Sequence, residues 1–180
     1  MGTTTTNLMT FEEFERLPDL PGKFELLKGE LLSMPPAKYR HMDSAERLYN
    51  LLGRIVRRLR RRRPDLALGA VHHEMGYQMG ADPRSWLQPD VSIAYPDQPL
   101  EDYYLGAPLL AVEVASESQS STTLEAKAQE CLAHGSREVW LIYPKTRCVW
   151  VCWAGGSRIE REAIHSDLLP GVEIRFEQFF

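Results

Sequence analysis

Leu109-Leu110-Ala111-Val112-Glu113-Val114-Ala115 is an almost unbroken apolar run with one carboxylate near its centre. A half-exposed strand alternates, so this pattern predicts a strand covered on both faces. Downstream, Thr122-Thr123-Leu124-Glu125 has the spacing of a capping box and opens a helix to about His134, which Gly135 ends. Glu138 to Tyr143 is a second apolar run, stopped by Pro144. Strand, helix and strand make a βαβ unit, whose two strands are expected to be parallel with a right-handed crossover.

Working outward, His41 to Arg62 carries Leu48, Leu51, Leu52, Ile55, Val56 and Leu59 at helical spacing, a helix burying one stripe. Arg47, Arg54, Arg57, Arg58 and Arg61 lie on its other face. Phe24-Glu25-Leu26-Leu27 and Glu30 to Met34 flank Lys28-Gly29 as a hairpin, in which Leu26 faces Leu31 and Glu25 shares the opposite face with Leu27 and Leu32. Thr10-Phe11-Glu12-Glu13 caps a short helix reaching Leu17. Leu66 to Met79, broken near Gly69 or Gly76, and Gln88 to Tyr95 supply further strands. Arg147 to Trp153 pairs with Ser157 to Ala163, and a last short strand or turn follows Leu169-Pro170-Gly171. The fold class is α/β: a mixed β-sheet flanked by helices, with an N-terminal hairpin and a βαβ unit, in one domain over residues 1–180.

Composition excludes several functional classes. With 43% hydrophobic and 26% charged residues the chain is an ordinary globular one, and no apolar run approaches the roughly 18 residues of a membrane helix. The first ten residues lack the basic and apolar regions of a secretory signal, which points to the cytoplasm. Cys131, Cys148 and Cys152 are too few and oddly spaced for a disulfide scaffold. A net charge of −4 argues against binding nucleic acid by bulk attraction and leaves only a local basic surface. Nucleotide-binding glycine loops, G-x-S-x-G and H-E-x-x-H are absent from the sequence.

Chemistry concentrates in four residues. An ionised Glu113 inside a buried strand is costly unless a cation or donors compensate. Asp90 follows Pro89 on a neighbouring strand, and two such carboxylates suit magnesium, which takes oxygen ligands from one or two acids plus waters and phosphate. Lys127 lies at the edge of the helix's apolar stripe of Leu124, Ala128 and Leu132, where the crossover folds it back over the strand. Glu25 sits among apolar hairpin neighbours, with Lys28 or Lys38 as alternative surface partners. His72-His73-Glu74 is not a metal cluster, because adjacent strand residues face opposite ways. His41 reads as a helix-start residue, and the four tryptophans as core or oligomer contacts.

Pro89-Asp90, then Glu113 on the next strand, then a lysine resembles the PD-(D/E)XK nuclease superfamily. The wider order is similar to its restriction endonuclease-like family of unknown specificity: the Phe24 to Leu31 hairpin, His41 opening the long helix, Val112-Glu113-Val114-Ala115-Ser116, Lys127, and Gly135 to Trp140 leading into Pro144. In that family the lysine has moved from the strand to the following helix, matching Ala115 at its former place. The resemblance implies Asp90 and Glu113 as ligands of Mg2+, or alternatively Mn2+, with Lys127 orienting water and Glu25 as an accessory carboxylate. It further implies hydrolysis of phosphodiester bonds in DNA, with RNA as an open alternative. Independently of the resemblance, the basic helix face with Arg54, Arg57, Arg58 and Arg61 reads either as a nucleic-acid surface or as a solvated helix end complementing its dipole. Relatives carry acidic or tyrosine residues where this chain has Thr123, Cys131 and Tyr143. Those departures support a second reading, a non-catalytic nucleic-acid or protein-interaction module. A homodimer or higher homo-oligomer is expected through Trp150, Trp153, Phe176, Phe179 and Phe180.

Overall fold

The computed structural model describes residues 8–18, 22–34, 36–80, 84–116 and 120–180. Helix α1 (Phe11–Glu15) leads to the hairpin β1 (Lys23–Leu27) and β2 (Glu30–Met34), then to the long helix α2 (Tyr39–Arg62). Short strands β3 (Val71–His73), β4 (Tyr77–Met79), β5 (Ser85–Leu87), β6 (Val91–Ile93) and β7 (Tyr104–Leu105) follow. The βαβ unit is β8 (Leu110–Val114), α3 (Ser121–Ala133) and β9 (Glu138–Tyr143). The chain closes with β10 (Cys148–Trp153), β11 (Gly156–Glu160), β12 (Ala163–His165), β13 (Glu173–Arg175) and a 3-10 turn at Phe176–Gln178.

β8 and β9 are parallel, with Glu113 beside Leu141, inside a six-stranded sheet of order β11-β10-β9-β8-β6-β3. One face carries Leu110, Val112 and Val114 against Leu48, Leu52 and Val56 of α2. The other carries Ala111 and Leu141 against Leu124 and Ala128 of α3 and Met79 and Leu87 of a second sheet. Cover on both faces is what an unbroken apolar strand requires. The mixed α/β class therefore stands, with its strands divided between sheets. The hairpin belongs to a five-stranded sheet of order β2-β1-β5-β4-β7, and β12 pairs with β13 alone.

Local chemistry explains the joints. Lys28 (φ 51°) and Gly29 (φ 81°) both occupy the left-handed region, the two-residue turn that fits a hairpin's twist. It sets the expected register, Leu26 opposite Leu31 and Glu25 opposite Leu32. Thr10 and Glu13 complete the first capping box, although α1 stops at Glu15, before Leu17. α2 begins at Tyr39, two residues before the expected His41. The expected cap of α3 needs correction: Ser120, not Thr122, is the N-cap, its Oγ accepting the Thr123 N–H at 3.1 Å. A serine two residues earlier reaches the free amide first, so Glu125 has no capping role.

The C-terminal aromatics also need correction. Phe176 and Phe179 are buried in the core beside α2, Phe180 packs on them, and Trp150 and Trp153 are half-buried. The aromatic surface expected to join subunits is thus largely consumed within the chain. Trp86 and Trp140 are core residues, and all three cysteines are free thiols. No helix among the described residues is long and apolar enough to cross a membrane.

Candidate active site

Antiparallel β6 and β8 pair Val91 with Val112, and continuing that register sets Asp90 opposite Glu113. The Val114 N–H donates to Asp90 Oδ2 at 2.7 Å and fixes the carboxylate at the strand end. Lys127, a turn and a half into α3, is turned inward. Its Nζ donates to Glu113 Oε2 at 2.7 Å and lies 2.9 Å from Glu25 Oε2. Glu25 Oε1 accepts the Gln88 N–H at 3.0 Å, which links the hairpin to the residue two before Asp90. Three of the four expected residues thus touch, the fourth stands directly across the ladder, and Glu25 pairs with Lys127 rather than with Lys28 or Lys38. Exposure is 0% for Glu25, 1% for Lys127 and 4% for Glu113, so these charges are held almost without water.

The electrostatics are unbalanced. Glu113 is raised to about 7: burial pushes it up most, the charge and hydrogen bond of Lys127 pull it down, and the charges of Glu25 and Asp90 push it up again. Burial also works against the Lys127 ammonium, but the charges and hydrogen bonds of Glu113 and Glu25 outweigh it, and its pKa rises above the usual lysine range. Asp90 is raised by burial and lowered further by the hydrogen bond and charge of His41, with Lys23 and the Val114 N–H assisting. Three carboxylates thus face one ammonium and one imidazole. Glu113 Oε1 is buried without a hydrogen-bond partner among the described residues.

Those features fit a divalent cation. Asp90 and Glu113 would hold it, with negative charge in excess and a lone pair unclaimed. Among the described residues no trio of His, Cys, Asp or Glu is gathered at ligating distance. Magnesium commonly needs no more than two protein carboxylates, since waters and substrate oxygens complete its shell.

His41 has a larger part than its place at a helix start suggested. The first turn of α2 brings its Nε2 to 3.2 Å from Asp90 Oδ2. Burial lowers its pKa, but the Asp90 hydrogen bond and charge, with Glu113, win and raise it. His41 borders three adjoining clefts, of about 420, 470 and 220 Å³, and Asp90 borders two of them. Solvent therefore reaches the site at His41 and Asp90, while Glu113, Lys127 and Glu25 lie behind. Of the four arginines expected to meet nucleic acid, Arg57 borders a groove between α2 and β3, as does Arg60. Arg54, Arg58 and Arg61 are exposed but outside that lining. His72 bonds the Tyr104 hydroxyl at 3.1 Å and His73 stacks near Tyr49, so the pair does diverge.

A further buried acid escaped sequence reading. Glu130 of α3 accepts from Ser85 Oγ at 2.5 Å through Oε1, and its Oε2 lies 3.3 Å from Lys28 Nζ. Ser85 Oγ in turn accepts the Lys28 N–H at 2.9 Å, so one hydroxyl joins hairpin turn, β5 and α3.

Mixed sheets flanked by helices, with Asp90 just before β6, Glu113 on β8 and Lys127 on α3 gathered at the centre of the larger sheet, define a restriction-endonuclease-like protein. A solved structure described as a putative nuclease belonging to DUF820 from Anabaena variabilis ATCC 29413 has the same fold: TM-score 0.75 at 20% identity, over 96% of this chain and 97% of that one. A search of curated proteins finds no match. Residues 11–177 match the family model Uma2, described as putative restriction endonuclease, and the chain belongs to that family.

Proposed function

We propose that this protein is a metal-dependent endonuclease hydrolysing phosphodiester bonds in DNA. The observation that carries the reading is the excess of buried negative charge where Asp90 and Glu113 face each other beside Lys127. Magnesium, or manganese in its place, supplies Lewis acidity for the scissile phosphoryl oxygen and acidifies the attacking water when bound. Asp90 and Glu113 hold that charge. Lys127 remains protonated and is no general base. Two of its three N–H donors face Glu113 and Glu25, leaving one for a phosphoryl oxygen or the nucleophilic water. Glu25 and the Gln88 N–H keep the ammonium in position, and His41 steadies Asp90 at the cleft mouth.

Plasmid nicking with magnesium or manganese tests this. Wild type converts supercoiled to open-circular DNA, whereas Glu113→Ala and Asp90→Ala do not; equal rates for wild type and Glu113→Ala remove the enzymatic reading. A matched RNA substrate separates DNA from RNA preference. Cutting both strands of a duplex calls for two sites, so a homodimer is the expected assembly, read by sedimentation at micromolar concentration.

The near-complete enclosure of Glu113, Lys127 and Glu25 favours the second reading, a non-catalytic nucleic-acid or protein-interaction module. Calorimetry distinguishes it: such a module gives no magnesium-dependent heat.

A further inference from the structure

The cleft at Asp90 and the groove at Arg57 share Tyr49 and Asn50, so they form one continuous trough along α2. Its helix side is a single stripe at steps of three and four: Met42, Ala45, Tyr49, Gly53, Val56 and Arg60. β3 forms the opposite wall through Val71 and His73. The two ends differ in charge. Asp90 and Glu74 stand at the cation-seeking end, and Arg57 and Arg60 at the other, where among the described residues neither has an ion-pair partner.

Gly53 marks the floor. Glycine is the poorest helix former short of proline, and it sits in the middle of a long helix. Packing does not demand it. A Cβ there would meet only Arg57 Nη1, at an ordinary 3.7 Å. A helix that accepts this cost with open space above it keeps that space clear for something that approaches the backbone.

We propose that the trough is the track of a DNA strand, its reacting phosphate at Asp90 and its phosphates on one side of the cut held by Arg57 and Arg60. The inference rests on the nuclease reading and extends it by giving the strand's path. Between His41 and Arg60 the helix advances about 28 Å at about 1.5 Å per residue, and a stacked strand advances about 3.4 Å per nucleotide, so the track holds about eight nucleotides.

Fluorescence anisotropy of the full chain with a labelled 20-nucleotide DNA in calcium, beside hydrolysis of bis(4-nitrophenyl) phosphate in manganese, tests the proposal. Gly53→Leu fills the trough with a better helix former. It is expected to raise Tm by about 2–4 °C and to weaken DNA binding at least tenfold, while hydrolysis of the small diester is unchanged. Arg57→Glu with Arg60→Glu, which leaves the helix floor intact, is expected to weaken binding similarly and to reduce the salt slope by about two. Shortening the DNA below about eight nucleotides also lowers affinity. Undiminished DNA binding in both variants overturns the track, as does equal competition by polyglutamate. Wild type that binds DNA in the trough but never hydrolyses the small diester refutes the nuclease reading and leaves the track supported.

Discussion

Helix α3 buries two charged side chains one turn apart, Lys127 and Glu130, and their surroundings differ in kind. Around Glu130 one acid is met by one cation: a serine hydroxyl donates to one oxygen and an exposed lysine stands 3.3 Å from the other, although that oxygen accepts no hydrogen bond among the described residues. Around Lys127 a single ammonium meets two carboxylates, with Asp90 a third acid across the ladder and Glu113 Oε1 unclaimed. A buried charge that serves the fold is matched by an opposite charge one for one. One that serves a reaction is left with charge to spare, and the two environments sit on the same scaffold.

The largest effect should come from breaking the unbalanced cluster at the Lys127 ammonium. Lys127→Met keeps the stem and removes the charge, leaving three acids to face one another, and is expected to cost about 3–5 kcal/mol in urea unfolding without metal. A loss under ~1 kcal/mol would show that the acids are already neutral.

The pH dependence sharpens the contrast. Glu113 titrates near 7 in the fold against an ordinary 4.5, so its contribution is complete below 4.5 and is lost as pH rises through 7. His41, also raised, acts in the same direction above 6.5. Asp90, depressed, does the reverse and loses its contribution only in acid. In EDTA, wild type should therefore lose thermal stability between pH 5 and pH 8. Glu113→Gln should flatten that decline and match or exceed wild type at pH 8. Glu130→Gln should instead lower stability by about 1–3 kcal/mol and keep the wild-type slope. Equal slopes in all three proteins would erase the distinction between the clusters.

The smallest effect lies at the rim of the closed cluster. Lys28 is 65% exposed at its side chain, and Lys28→Ala should cost less than about 1 kcal/mol, chiefly at low salt. A larger loss in chemical denaturation would mean that Ser85 alone does not hold Glu130.

How much of this was legible depends on where each partner lies in the chain. The βαβ unit was readable because its signals are local: apolar continuity in β8 and β9, and a glycine stop after α3. Glu113 stood out as one acid in that run, and Lys127 by its place beside the helix stripe. The second sheet was not readable, since β5 and β7 are three and two residues long and show no alternation, and β5 meets β1 across a long loop of chain. His41 was passed over because its contact depends on where the first turn of α2 lands. Glu130 was hidden for the same reason, its donors coming from residues 28 and 85. Phe176 and Phe179 were misjudged because an aromatic C-terminal tail looks alike whether it covers its own core or another molecule's.

The three-way junction at Ser85 has an outcome for anyone reshaping this molecule. Its hydroxyl ties the Lys28-Gly29 tip to the same helix that presents the Lys127 amine, so the tip and the centre share one support. The opening hairpin is accordingly a working part of the machine rather than packaging, and a graft or truncation that treats it as detachable would take away Glu25 together with the tie at Ser85.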